Sequence, residues 1–203
     1  MDRRRWIAVV AAVIGALCAP AGAQAANLVD VRPCDDAALS KAFQRWADPA
    51  NYKLAPGGDF EGSLSGWTLT GGAKIVAGGE PWDVGGVDGE RALALPQGAS
   101  ATAPATCVNL GAPTLRLFAR STGGLLPVLK VDLLYRKGLT GILAVPAGVA
   151  LPSPAWSPTL PMLTASAVGA TLAGGEAPLS IRITALSGSW QVDDLFVDPY
   201  ARG

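Results

Sequence analysis

The side chains that could carry chemistry are mostly carboxylates, because the chain has no histidine among its 203 residues. This composition excludes Ser-His-Asp and Cys-His nucleophiles, histidine general bases and the usual zinc sites. The sequence also lacks a G-x-S-x-G motif, a P-loop and a dinucleotide-binding fingerprint. A glycosidase-like pair of acids is the one catalytic arrangement left. With 16 Asp and Glu residues such a pair is expected by chance, so the pattern favours a protein that is not an enzyme.

The amino terminus has the composition of an export signal. Residues 3–5 are three arginines, residues 6–18 form an uncharged apolar run, and Ala23-Gln24-Ala25 is a small-x-small cleavage pattern. The apolar run is too short to span a bilayer. We therefore predict a signal peptide over residues 1–25, cleaved before Ala26, and a retained anchor is the alternative. The prediction places the protein outside the cell, in the medium or at the wall.

The remaining 178 residues have the size of one domain, and their acids and bases nearly balance. This balance argues against nucleic acid as a partner, and the sequence predicts no membrane insertion after signal cleavage. Two cysteines follow the signal, Cys34 and Cys107. In an exported protein an isolated pair predicts a disulfide, which would close a loop of about 74 residues. Two buried free thiols are the alternative.

Short apolar segments that alternate with period two, punctuated by glycine doublets, predict an all-β fold. The clearest segments are 115–120, 130–133 and 179–183, and 74–76, 92–95 and 138–145 are further candidates. Such a pattern is typical of an antiparallel sandwich or barrel. We predict a jelly-roll β-sandwich over residues 52–203, preceded by an N-terminal segment over 26–51.

One segment has helical spacing instead. Leu39, Phe43 and Trp46 would share one face of a helix over residues 35–47, and Pro49 prevents its continuation. We predict one short N-terminal helix laid across the sandwich, with its aromatic stripe in the core.

Motifs at opposite ends of the sandwich resemble those of a known fold family. Gly57-Gly58-Asp59-Phe60-Glu61 with Gly66-Trp67, and the terminal Trp190 to Asp198 segment, resemble the first and last strands of galactose-binding-like jelly rolls, including carbohydrate-binding modules. Residues 26–203 also resemble a set of secreted proteins of high-GC actinobacteria. That second resemblance is carried by Phe43, Trp46, Asp48, Tyr52, the Gly57–Glu61 run, Glu80-Pro81, Cys107 and the terminal Asp-Asp.

The jelly-roll resemblance implies a structural Ca²⁺ ion held by Glu61 and by Asp193 or Asp194. Ca²⁺ takes six to eight oxygen ligands, so carboxylates and backbone carbonyls at neighbouring strand ends suit it. Strand alternation predicts that one of the two aspartates points inward, where an unpaired carboxylate is costly. The alternative is that Arg91, Arg116 or backbone N–H groups satisfy that aspartate.

The same resemblance implies a glycan ligand, and exposed aromatic side chains would stack against its sugar rings. The candidates are Trp82, Tyr135 and Trp156, of which Trp82 stands in an acidic loop sequence between glycine doublets. Each could instead be a structural residue. The leading hypothesis is a secreted, non-catalytic binding module for a glycan such as a cell-wall polysaccharide. The alternative is a structural or protein-interaction component of the cell envelope.

Overall fold

The computed structural model describes residues 38–84, 89–109, 114–137, 141–163 and 176–198, with the backbone alone for 107–109, 136–137 and 176–178. The predicted signal peptide and Cys34 lie outside the described residues, as does the side chain of Cys107. The disulfide therefore stays a prediction. The described elements are a 3-10 turn and eleven strands: η1 (Gln44–Trp46), β1 (Lys53–Leu54), β2 (Thr68–Thr70), β3 (Lys74–Ala77), β4 (Arg91–Leu95), β5 (Ser100–Thr102), β6 (Thr106–Asn109), β7 (Thr114–Lys137), β8 (Gly141–Ala150), β9 (Ser157–Pro158), β10 (Met162–Leu163) and β11 (Glu176–Val197).

Strand β11 is the centre of an antiparallel sheet. It pairs with β7 along its length, from Ser180 opposite Leu134 to Val197 opposite Leu115. Its other edge pairs successively with β6, β5, β4 and β1. The outer edge of β7 carries β8, β9 and β10, while β3 extends β4 and β2 extends β5. The predicted strands are confirmed wherever the described residues cover them.

The ribbon formed by β7 and β11 curls because both strands contain a glycine where their pairing register is irregular. Gly124 and Gly188 both have positive φ, and a Cβ on Gly124 would lie 2.7 Å from the Cα of Gly188. The register between the strands shifts on both sides of Gly188. Such bulges bend and twist a strand pair. The ribbon can therefore contribute to both layers of a sandwich.

The main core lies between the two halves of this ribbon. Leu115 and Leu117 come from the first half of β7, and Leu129, Val131 and Leu133 from the second half, and all five belong to one buried cluster. The matching half-strands of β11 supply Ile181, Ile183, Trp190 and Val192 to the same cluster. The fold is therefore an all-β antiparallel sandwich of the jelly-roll type, as predicted.

The opening and closing strands lie side by side, as the sequence motifs predicted. Lys53 pairs with Val197, and the backbone N–H of Leu195 donates to the Gly58 carbonyl at 3.0 Å. Strand β1 is only two residues long, however, and the Gly57–Glu61 run forms turns after it. A Cβ on Gly58 would lie 2.9 Å from the Leu195 carbonyl oxygen, so glycine permits this close approach.

The predicted N-terminal helix is wrong in extent. Within the described residues the segment contains only the 3-10 turn η1, and Ser40 instead pairs with Tyr52 as an isolated β-bridge. The turn ends at Ala47, which adopts a left-handed conformation with φ of +59°. The strand-like pairing of Ser40 outweighs the helical spacing, and Leu39 is exposed rather than packed. No helix among the described residues has the length and apolar composition needed to cross a membrane.

Candidate functional site

A second aromatic cluster covers the outside of the sandwich, opposite the main core. Its buried members are Phe43, Ala50, Tyr52, Phe118 and Phe196, and the half-buried tryptophans Trp46, Trp82 and Trp156 pack against them. We call the whole set the outer aromatic cluster and the three tryptophans its rim. The ring of Phe118 lies 5.5 Å from Phe43, 5.2 Å from Trp46 and 5.5 Å from Trp82, measured between centroids.

Strand alternation on β7 explains why this cluster forms outside the core. Leu115, Leu117 and Ala119 point into the main core, so the residues between and after them must point outward. Those residues are Arg116, Phe118 and Arg120. The N-terminal segment brings Phe43 and Trp46 over Phe118, and strand β9 brings Ser157 beside Ala119, with Trp156 one residue earlier. The outer face of β7 is thus an aromatic and basic surface.

A buried ion pair ties the N-terminal segment to this surface. Arg116 Nη1 donates to Asp48 Oδ2 at 2.9 Å, and its guanidinium carbon lies 4.2 Å from the Phe43 ring centroid. The Tyr52 hydroxyl donates to the same Asp48 oxygen at 2.8 Å, and the Ala50 N–H donates to Oδ1. Burial raises the pKa of Asp48, but these donors and the charge of Arg116 lower it more, so it lies below its usual value. Asp48 is therefore a stable anion at neutral pH.

A second acid holds the loop that presents Trp82. The carboxylate of Glu80 accepts the backbone N–H of Trp82 at 2.6 Å and that of Val84 at 2.7 Å. The N–H of Glu80 in turn donates to Asp193 Oδ2 at 2.8 Å. Glu80 is buried, so its charge faces the backbone of its own loop rather than solvent. The loop is thereby fixed to strand β11 with the Trp82 ring against Trp46 and Phe118.

Asp193 has a different environment from Asp48. It is 1% exposed, and its Oδ1 accepts the N–H of Asp194 at 2.9 Å. Its pKa is raised to about 7: burial is the largest cause, the charges of Glu80 and Glu61 add to it, and the two N–H donors oppose it. Among the described residues, no lysine or arginine forms a salt bridge with Asp193. Its negative charge is therefore unfavourable at neutral pH.

Strand alternation predicted that one of Asp193 and Asp194 points inward and the other outward, but the alternation does not hold at this point. Both are buried, because Asp194 adopts φ of +47° and the register shifts between Asp193 and Phe196. This bulge interrupts the alternation, so Val192 and Leu195 both reach the main core. A left-handed aspartate within a strand leaves no signal in the period-two pattern.

The residues predicted to hold calcium only partly converge. Glu61 lies close enough to Asp193 to raise its pKa, while its Oε1 accepts the Arg91 N–H at 2.7 Å. Their oxygens have the donor chemistry that Ca²⁺ prefers. In the part of the chain that the structure describes, however, no group of three or more His, Cys, Asp or Glu side chains could hold a metal ion. An ion here would depend mainly on backbone carbonyls.

The three aromatic residues predicted to contact a glycan separate into two places. Trp82 and Trp156 both belong to the rim of the outer aromatic cluster, and Trp82 lies on a loop as predicted. Tyr135 is 6% exposed and belongs to the main core, so its ring offers no face to a ligand. Trp46, expected in the core, completes the rim instead. The cap that Glu80 forms on the backbone of its own loop was missed, since glutamate is not among the residues that typically cap turns.

Two arginines border the rim. The guanidinium of Arg45 lies 5.9 Å from the ring centroids of both Trp46 and Trp82. The guanidinium of Arg120 lies 4.9 Å from the Trp156 centroid, and its Nε donates to Gln191 Oε1 at 2.7 Å. Period-two alternation from Phe118 could have placed Arg120 on this face, but the contacts of Arg45 depend on the 3-10 turn.

Comparison with protein-family models finds no match, and no curated protein matches the sequence. Among solved structures, the CBM22-1 xylan-binding domain from Paenibacillus barcinonensis Xyn10C is similar, with 15% identity, a TM-score of 0.45, and coverage of 70% of this chain and 91% of that one. The Clostridium thermocellum Xyn10B CBM22-1-GH10 modules, complexed with xylohexaose, have 14% identity and a TM-score of 0.45, with coverage of 71% of this chain. This chain spans 28% of the length of that structure.

An enzymatically active domain is also similar. It belongs to tailspike protein 4 of bacteriophage CBA120, with 16% identity, a TM-score of 0.45, and coverage of 72% of this chain and 21% of that one. Carbohydrate-binding modules of families 6 and 61 are similar as well. The structure therefore resembles carbohydrate-binding modules, as the sequence motifs predicted.

Proposed function

We propose that this chain is a secreted, non-catalytic module that binds a glycan at the rim of the outer aromatic cluster. The observation that carries the proposal is that Trp46, Trp82 and Trp156 all pack against the buried residues of the outer aromatic cluster while each remains partly exposed. Indole rings combine a large apolar face with a polar N–H edge, which suits the C–H faces and hydroxyl groups of a sugar. Glycans of the cell wall are the ligands to which an exported module of this kind has access.

The rim is held rigidly, which favours binding. Trp82 is fixed by the Glu80 cap and Trp46 by its contacts with Phe43 and Phe118. A surface that is already ordered loses little conformational entropy when a ligand binds. The absence of histidine from the sequence and the inward-facing Glu80 carboxylate argue against catalysis at this face.

A glycan array that includes purified wall polysaccharides tests the proposal, followed by titration calorimetry of any glycan that binds. We expect Trp82→Ala and Trp156→Ala each to weaken binding at least about tenfold, which corresponds to about 1.4 kcal/mol. Trp67→Phe is the matched control, because Trp67 is half-buried against the main core and its Nε1–H donates to the Pro56 carbonyl. An array with no bound glycan, or equal losses in all three variants, would overturn the proposal.

A second candidate function is contact with a protein of the cell envelope, and one exposed apolar tip favours it. Leu125 is fully exposed, and Leu126 and Leu186 are more than half exposed nearby, where the Ser187 hydroxyl donates to the Leu126 carbonyl. Contiguous exposed apolar surface marks interaction sites. Binding of the purified chain to isolated envelopes separates the candidates. Loss on Leu125→Asp with Leu126→Asp supports protein contact, whereas loss on Trp82→Ala supports the glycan site.

We also propose a structural calcium ion near Glu61, bound by that carboxylate, by Asp193 or Asp194, and mainly by backbone carbonyls, since no three carboxylates of the described residues come together there. The accumulation of negative charge around the buried Asp193 supports this proposal. Thermal unfolding measured with calcium and with EGTA tests it. We expect a higher melting temperature in calcium, and an unchanged temperature after verified metal removal would overturn the ion without affecting the glycan site.

A further inference from the structure

The arginines of the sandwich differ in what their guanidinium groups contact. Arg116 and Arg182 form salt bridges with Asp48 and Asp132, and Arg91 donates to the backbone carbonyl of Glu61. Arg45 and Arg120 instead lie against the tryptophan rim, and neither forms a salt bridge within the described residues. The positive charges of Arg45 and Arg120 at the rim are therefore not neutralised by any of these salt bridges.

The geometry of Arg120 leaves its donors available to a ligand. A guanidinium that stacks on an aromatic face keeps its N–H groups in its own plane, directed away from the ring. The Nε–H of Arg120 is committed to Gln191, which fixes the group and leaves the two Nη atoms as a fork. Such a fork matches the two oxygens of a carboxylate or a sulfate.

The carboxylates near the rim do not cancel these charges equally. Glu80 directs its oxygens to the N–H groups of Trp82 and Val84 and is buried. Asp83 on this loop is exposed, and its Oδ1 accepts the Gly89 N–H at 3.2 Å. An anionic sugar would gain charge–charge attraction to Arg45 and Arg120 in addition to its contacts with the rings, whereas a neutral sugar would not.

We infer that the glycan bound at the rim is anionic, and that Arg45 and Arg120 bind its carboxylate or sulfate groups. This inference rests on the proposed function and specifies its ligand class. Charge–charge attraction of this kind at a partly exposed surface is weakened by salt. Binding of an anionic saccharide should therefore fall as ionic strength rises, and binding of a neutral one should not.

The test compares saccharides that differ in charge alone. A galacturonate tetrasaccharide and its carboxyl-reduced neutral form are titrated into the purified exported chain, with a sulfated galactan oligosaccharide as a third probe. We expect at least one anionic probe to bind about tenfold more tightly than the neutral form at low salt. Comparing the galacturonate probe with the sulfated galactan probe shows whether the arginines prefer a carboxylate or a sulfate group.

Substitutions then assign the preference to residues. Arg45→Gln and Arg120→Gln should each reduce the preference for the anionic probe several-fold, while Arg182→Gln, a partly exposed arginine in a salt bridge with Asp132, should not. Asp83→Asn should strengthen anionic binding, because it removes a like charge while asparagine tolerates the φ of +52° and can still accept the Gly89 N–H. Circular dichroism of each variant controls for folding.

Two results separate the inference from the function on which it rests. Equal binding of anionic and neutral saccharides, unchanged by Arg45→Gln and Arg120→Gln, overturns the anionic ligand and leaves glycan binding in place. A glycan array on which no saccharide binds overturns the proposed function itself.

Discussion

Asp48 and Asp193 are both buried, yet their environments are opposite. Asp48 is surrounded by Arg116, the Tyr52 hydroxyl and a backbone N–H, and its pKa lies below the usual range. Asp193 has two backbone N–H donors, and burial raises its pKa to about 7. For Asp48 the hydrogen bonds from Tyr52 and Ala50, together with Arg116, outweigh the effect of burial on the pKa. For Asp193 the two N–H donors do not outweigh burial and the nearby charges of Glu80 and Glu61.

Because of this difference, the two segments that form the outer face are held in place by different interactions. The N-terminal segment, which carries Phe43 and Trp46, is held by a charge pair that is favourable at neutral pH. The loop that carries Trp82 is held by Glu80 and Asp193, whose charges repel one another. We therefore expect the loop to be the part of the rim that responds most to pH and to cations.

The largest expected effect is on the Asp48 side. Arg116→Met leaves Asp48 buried without its cation and should lower the free energy of unfolding by about 3–5 kcal/mol. Urea denaturation measures the change. Arg182→Met is the control, because the Arg182 side chain is 37% exposed, so that change should cost no more than about 1 kcal/mol. Equal losses of unfolding free energy in the two variants would contradict the claim that the ion pair between Arg116 and Asp48 stabilises the fold.

A change of pH should alter the contributions of the two aspartates to stability in opposite directions. Since the folded pKa of Asp193 is raised, its contribution to stability is full below the unfolded value of 3.8 and is lost as the pH rises to about 7. The loss is on the order of 4 kcal/mol. The pKa of Asp48 is lowered, so its contribution is present above 3.8 and is lost at lower pH.

Urea denaturation between about pH 4 and pH 7.5, on the wild type and on Asp193→Asn, measures this loss. We expect the decline in the unfolding free energy to be much smaller in Asp193→Asn. If calcium binds here, adding it should flatten the decline in the wild type, because a cation favours the ionised carboxylate. A decline of the same size in both proteins would assign it to other groups.

A smaller effect is expected where the Trp82 loop meets β11. A Cβ on Gly79 would lie 2.6 Å from Asp193 Oδ2 and 2.5 Å from the Gly89 carbonyl oxygen, so Gly79→Ala must displace the loop. We expect a loss of about 1–3 kcal/mol, the usual cost of overpacking. Gly62→Ala is the control, because a Cβ there meets nothing within 4 Å, and its thermal unfolding should match the wild type. Equal melting temperatures for both variants would contradict the close contact at Gly79.

The sequence predicted the sandwich more completely than the site. Alternating segments such as 115–120 and 179–183 indicate strands because one face must be buried along their whole length. The helical spacing of Leu39, Phe43 and Trp46 was misleading, since the bridge between Ser40 and Tyr52 is a long-range contact that local periodicity does not encode. The chain's own preference was overridden by tertiary pairing.

The site was predicted only in part. Its residues come from four separate segments, and the sequence alone does not show that these segments meet. Trp82 and Trp156 were chosen as aromatic residues in loops, and both lie at the rim. Tyr135 was chosen as an aromatic residue at the end of an alternating strand. It is buried, because it continues the alternation of Val131 and Leu133, which point into the main core. The positive φ of Asp194 also has no sequence signal, since most aspartates within strands keep a negative φ.

The central claim, that ligand binds at the tryptophan rim, is tested most directly by the indole N–H resonances in NMR spectra of the ¹⁵N-labelled chain. Of the six tryptophans, Trp46, Trp82 and Trp156 form the rim, while Trp67 and Trp190 donate their indole N–H to backbone carbonyls beside the main core. Titration with a glycan that binds should shift the three rim resonances and leave those of Trp67 and Trp190 in place. Shifts confined to Trp67 and Trp190, or none at saturation, would contradict the claim.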